Sequence, residues 1–130
     1  MSIERINPAG MFALPSLISQ AVVSTGRTHV HLSGQVAWDA EGNLVGAGDH
    51  AAQAAKVAEN ITTALKAAGA TWDDVVKETI YVVDYRPELV PEIFQALRRG
   101  PVPASTLVPV PALFQPGYLI EVEVVAAIER

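Results

Sequence analysis

The chain has 130 residues, half of them apolar, with 9 basic and 14 acidic side chains and a formal net charge of −5. That length suits one domain spanning residues 1–130 and is short for two. The basic residues are scattered, clustered only at Arg98–Arg99, so no phosphate-binding stripe is indicated and no nucleic-acid partner is expected, and the absence of cysteine excludes disulfides, thiolate catalysis and Cys-ligated metals.

A mean hydropathy of +0.27 leaves few charged groups to cover so small a domain, so a buried interface between subunits is expected. The opening stretch MSIERINPAG has no basic-then-apolar signal pattern, and no apolar run reaches membrane length. A cytoplasmic protein without a membrane partner is the expectation.

Met1 to Ser16, with Pro8, Gly10 and Pro15, reads as an extended lead-in. Leu17 to Ser24 and Thr28 to Trp38 read as two strands with the spacing of a hairpin, turned at Thr25-Gly26-Arg27. Strict alternation along the second strand sets His29, His31, Ser33 and Gln35 on one face and Val30, Leu32, Gly34 and Val36 on the other. Asp39 to Asn43 is turn chemistry.

Asp49 is a good N-cap for a helix whose apolar stripe is Ala54, Val57, Ala58, Ile61, Ala64, Leu65 and Ala68. Gln53, Asn60 and Lys66 oppose or flank that stripe, and Asn60 and Lys66 read as a solvated face. Gly69 stops the helix, and Thr71 to Asp74 has the shape of a capping box. Lys77 to Tyr85 alternates as a strand, with Glu78, Ile80 and Val82 on one face. A second helix is predicted over Glu88 to Arg99, with Pro91 in its first turn and Gly100-Pro101 ending it.

The last quarter reads as two strands joined by the turn Gln115-Pro116-Gly117. The first, Ala104 to Val110, belongs near a sheet boundary because it carries Pro109 and is followed by Pro111. The second, Tyr118 to Ile128, alternates cleanly: Tyr118, Ile120, Val122, Val124, Ala126 and Ile128 face one way, and Leu119, Glu121, Glu123, Val125 and Ala127 the other. The order β-β-α-β-α-β-β fits an α+β fold with two helices on one face of a single sheet.

Two carboxylates on one face of an apolar strand are the feature to explain. By spacing alone, Glu121 either handles a water molecule or pairs across an interface, and Glu123 reads as structural. His29 and His31 place two nitrogen ligands on one strand face, but His50 has no obvious reason to converge, so no metal is expected. Tyr81, Phe114 and Tyr118 read as core packing rather than as the wall of a cleft.

The stretch SGQVAWDAEGNLVG (Ser33 to Gly46), the run AENITTALKAAGATWDDVVKETIYVVD (Ala58 to Asp84) and the PAS…IEVEVVA pattern from Pro103 resemble the RidA/YjgF/L-PSP family. The resemblance implies a chorismate-mutase-like fold and a β-barrel-cored homotrimer, with a small-molecule cleft at each subunit interface and no cofactor. It implies Glu121 as the catalytic candidate and Ser33, Gly34, Ser105 and Thr106 as ligand-binding candidates.

Imine deaminases of that family carry an arginine in a PAR motif, whose fork pairs with the substrate carboxylate. Here the motif reads Pro103-Ala104-Ser105, and Ile18 stands where those enzymes place a tyrosine. The resulting expectation is hydrolysis of an imine, enamine or related metabolite without the carboxylate clamp. The alternative is a non-catalytic metabolite-binding or interaction protein. An endoribonuclease fits less well with a net charge of −5.

Overall fold

The computed structural model describes residues 2–129. Strands β1 (Ile3–Ile6), β2 (Ala21–Ser24), β3 (Thr28–His31) and β4 (Gln35–Val36) precede helix α1 (His50–Ala67). A single 3-10 turn, Trp72–Asp74, leads into β5 (Val75–Val83). A second 3-10 turn, Pro87–Leu89, opens into α2 (Val90–Leu97), followed by β6 (Ala104–Val110) and β7 (Ile120–Ile128).

Five strands form one mixed sheet in the order β3-β7-β5-β6, with β4 also pairing with β7. Strand β7 runs antiparallel to β5 and to β3 and β4, while β6 lies parallel to β5 at the sheet edge, as its prolines require. The alternation of β7 decides its two faces. Ile120, Val122, Val124, Ala126 and Ile128 are buried with Ile80 and Val82 beneath the two helices. Helix α1 contributes Ala54, Val57, Ala58, Ile61 and Leu65, and α2 contributes Ile93, Phe94 and Leu97. The small side chains in the α1 stripe let its backbone approach the sheet closely.

The helix signals read from sequence hold. Asp49 caps α1 by accepting from the Ala52 amide, and Gly69 follows its end with φ +81, a left-handed conformation that glycine adopts without strain. Thr71 and Asp74 form the capping box, and Pro91 lies in the first turn of α2. Asp39 accepts from the amides of Asn43 and Glu41 at 2.9 and 3.0 Å, which holds its carboxyl below the usual aspartate range.

Strand pairing departs from the sequence reading at three places. The lead-in contains β1, and β2, shortened to Ala21–Ser24, pairs with it rather than with β3. Strand β3 instead takes the antiparallel edge of the long, apolar β7. The final two strands are joined by a turn without being neighbours, because β5 lies between them.

The third departure is a bulge. His31 pairs with Val125 and Gln35 with Val122, so the chain advances four residues against three on β7. The extra residue flips the faces. His29 and His31 remain on the open side of the sheet, whereas Gln35 turns toward α1 and Val36 comes beside Glu121.

Two amides expected on the outside of α1 are structural. Asn60 donates to the carbonyls of Val36 and Trp38, both at 3.0 Å. Gln53 is fully buried: it donates to the carbonyls of Gly46 and Gly117 and accepts from the Leu119 amide at 2.8 Å. It thereby fastens two loops to the helix. Gln53→Ala strands those groups in an apolar setting and is expected to cost roughly 2–4 kcal/mol in urea denaturation. A loss below about 0.5 kcal/mol would show that water replaces the amide.

Candidate functional site

The sequence-predicted residues fall into two groups on opposite faces of the sheet. The register makes this explicit: Glu121 pairs with Tyr81, on the open face, whereas Ser105 pairs with Glu78, on the face beneath the helices.

On the open face, Glu121 lies against Gly34. A Cβ added to that glycine would overlap the Glu121 carboxylate, so the side chain occupies the space that glycine leaves. Ser33, next in sequence, is exposed. Tyr81 donates its hydroxyl to Glu123 at 3.0 Å, and this hydrogen bond to a carboxylate, with partial desolvation, raises the tyrosine pKa. The reading of Tyr81 as core packing is thus corrected.

Desolvation raises the pKa of Glu121 first, and the negative charge of Glu123 on the same face adds to it. A carboxyl shifted in this direction exchanges protons nearer neutral pH than an ordinary glutamate does. Thr106 lies farther along this face, where its hydroxyl accepts from Lys77 at 2.8 Å.

The histidines are exposed there as well, with ring centroids 6.4 Å apart in an edge-to-face arrangement. Among the described residues no three His, Cys, Asp or Glu side chains converge as metal ligands. Tyr118 is buried as expected, but Phe114 is 55% exposed, packed with Trp38 and Tyr118 in an aromatic cluster at the surface.

Beneath the helices, Ser105 borders a cleft of about 300 Å³ whose walls include Leu17, Ile18, Tyr85, Phe94 and Leu107. Its hydroxyl oxygen is buried and has no hydrogen-bond partner among the described residues. One wall is the turn after Pro15, closed by the Leu17 and Ile18 amides donating to the Leu14 carbonyl at 2.9 Å. Ser19 anchors the end of that turn, its amide on Pro103 and its hydroxyl on Val102.

Two residues that sequence reading did not single out organise this region. Glu78 is wholly buried, and Arg98, the residue that caps the end of α2, donates to both of its oxygens at 2.8 Å. The same guanidinium donates to the Leu17 carbonyl at 2.7 Å and stacks over Phe94, 5.3 Å from the ring centre. A signal for Glu78 existed: a carboxylate sharing a strand face with Ile80 and Val82 requires a buried partner. Nothing in the spacing identified Arg98 as that partner, since the two are 20 residues apart.

The sequence profile described as Endoribonuclease L-PSP matches residues 15–128. Among solved structures, the Rid-family protein YyfB of Yersinia pestis, described as of unknown function, is 36% identical over 98% of this chain and 100% of its own, with a TM-score of 0.91. RidA from an Antarctic Psychrobacter is 34% identical over 96% of this chain and 99% of its own, with a TM-score of 0.68. YyfA of Yersinia pestis is 31% identical over 98% and 100%, with a TM-score of 0.67. Among the described residues no helix is long and apolar enough to cross a membrane.

The raised pKa of Glu121 has a stability consequence. The folded state holds this proton more tightly than the unfolded chain. Its contribution is therefore fully present below the ordinary value of 4.5 and is lost as pH rises through the raised value. Glu121→Gln removes that loss. The variant is expected to melt above the wild type at neutral pH and to converge with it below pH 4.5. A gap independent of pH would place Glu121 in ordinary solvent.

Proposed function

This chain belongs to the Rid/YjgF/L-PSP family, and from that membership we propose that it is a hydrolase of a small imine, enamine or related metabolite, assembled as a homotrimer. The observation that carries the reading is Glu121: a partly desolvated carboxyl with a raised pKa, set against a glycine that leaves its oxygens room. In the proposed step a water oxygen adds to the C=N carbon while Glu121 takes its proton. Glu121 returns that proton to the nitrogen to give a carbinolamine, then carries the hydroxyl proton to the nitrogen as the C–N bond breaks, so that ammonia leaves a carbonyl product. Ser33 and Gly34 contact the ligand beside Glu121, with Thr106 farther along the same face, and Ser105 reaches the ligand from the opposite face of β6.

One subunit holds Glu121 and Ser105 on opposite faces. A site using both therefore takes them from different subunits, which supports assembly. Met11, Phe12 and Phe114, all more than half exposed, supply apolar surface for such a contact. A net charge of −5 supports a small molecule rather than RNA as the ligand. The second reading, metabolite binding without chemistry, draws on Ser105: its hydroxyl has no hydrogen-bond partner among the described residues, and the Glu78 carboxylate across from it is taken up by Arg98, so it is not an activated nucleophile.

Light scattering at micromolar concentration is expected to return three times the 13.8 kDa chain mass; a monomer would overturn the assembly. In an assay that generates 2-iminopropionate, the wild type is expected to be slower than an arginine-bearing relative by roughly two to four powers of ten, the worth of a lost bidentate clamp. Ser105→Arg should recover part of that rate, and Glu121→Gln should abolish it in both backgrounds. Turnover indifferent to Glu121→Gln would sink the catalytic reading.

A further inference from the structure

The Ser105 hydroxyl oxygen, in the wall of its cleft, is buried without a hydrogen-bond partner among the described residues, and so is Arg98 Nε, just behind the lining residue Phe94 on which its guanidinium stacks. We propose that this cleft takes an uncharged ligand with one hydrogen-bonding oxygen, and that Glu78 enforces the choice by holding the adjacent guanidinium as a built-in carboxylate. This rests on reading the Ser105 cleft as a ligand site and names the class of molecule it accepts.

Within one subunit the residues lining the cleft carry no charge: they are apolar or aromatic apart from the Ser105 hydroxyl and the Tyr85 phenol. The cation placed to serve it is Arg98, whose guanidinium stacks on the lining residue Phe94. That cation is already committed. Glu78, directly across from Ser105 in the β5–β6 register, accepts from both terminal nitrogens at 2.8 Å, and the Leu17 carbonyl takes a further donor at 2.7 Å.

An anionic ligand entering here would lose its hydration and meet a pair that is neutral as a whole, with nothing to offset the cost. A carbonyl or amide oxygen has no such cost. It can accept from the Ser105 hydroxyl, which otherwise stays buried and unpaired. The volume of about 300 Å³ limits the remainder of the ligand to a short aliphatic or small cyclic body.

Glu78 therefore acts as a selectivity residue that never touches the ligand. If its charge is removed, the guanidinium becomes available, and the cleft turns into a carboxylate site of the kind a bidentate arginine makes.

The test uses a matched pair of probes, 3-methylbutanamide and 3-methylbutanoate, titrated against the purified assembly by ligand-observed NMR. Wild type is expected to bind the amide at least about tenfold more tightly than the acid. Ser105→Ala should weaken the amide about fivefold, the worth of one neutral hydrogen bond, without improving the acid. Glu78→Gln should reverse the order, with the acid gaining about tenfold or more.

A wild type that binds the acid as tightly as the amide overturns the proposal, as does a folded Glu78→Gln variant with an unchanged ratio. Should Glu78→Gln fail to fold, Glu78→Gln combined with Arg98→Met removes both charges together. This double variant is expected to keep the amide preference, and acid binding gained by it would also overturn the idea. Binding of neither probe to wild type rejects the cleft as this site. The role of Glu121 is read separately by imine turnover, so the two failures are distinguishable.

Discussion

Glu78 is fully buried in the middle of β5, and the fold tolerates a carboxylate there because Arg98 reaches back from the end of α2 to meet both its oxygens. A buried ion pair of this kind is weak evidence for extra stability, since two well-packed apolar residues often do as well. Its value is positional. With either partner missing, the other becomes an uncompensated charge in the core, so the end of α2, β5 and the turn at Leu17 hold one relative arrangement. The cleft at Ser105 lies among those three elements and takes its shape from them.

The sheet divides the chemistry in two. Its helix-covered face is apolar apart from Glu78, Ser105 and Gln35, and its open face carries Glu121, Glu123, Tyr81, Lys77, Thr106 and the two histidines. The alternation of β7 makes this division, and the bulge between β3 and β4 refines it by setting Gly34 against Glu121. On the open face, burial and the charge of Glu123 raise the pKa of Glu121; on the other, apolar and aromatic side chains enclose the cleft at Ser105. Family members solved elsewhere share the fold over nearly their whole length.

Much of the fold was legible because its signals are local. Asp49, Gly69, the Thr71–Asp74 box and Pro91 act within one turn of their own positions, and all four stand where the reading placed them. The two faces of β7 follow from a period of two that no partner can alter. The family was legible through ordered motifs along most of the chain. Strand partnership was less so. The three residues after Ser24 looked like a hairpin turn, yet β2 lies on β1 because β7 offers β3 a longer apolar edge. One inserted residue then reversed the faces predicted for Gln35 and Val36.

The sequence by itself determined the helices, the strand periods, the sheet edge at β6 and the family. These depend on capping geometry, side-chain periodicity and residue identity, each read within a short window. Tertiary structure alone decided which strands are neighbours, that Ser105 and Glu121 occupy opposite faces, and that Arg98 is already held by Glu78. Those facts arise from contacts between residues far apart in the chain. Many pairings satisfy the local signals equally well, and the requirement to bury apolar surface while leaving no charge unpaired selects among them.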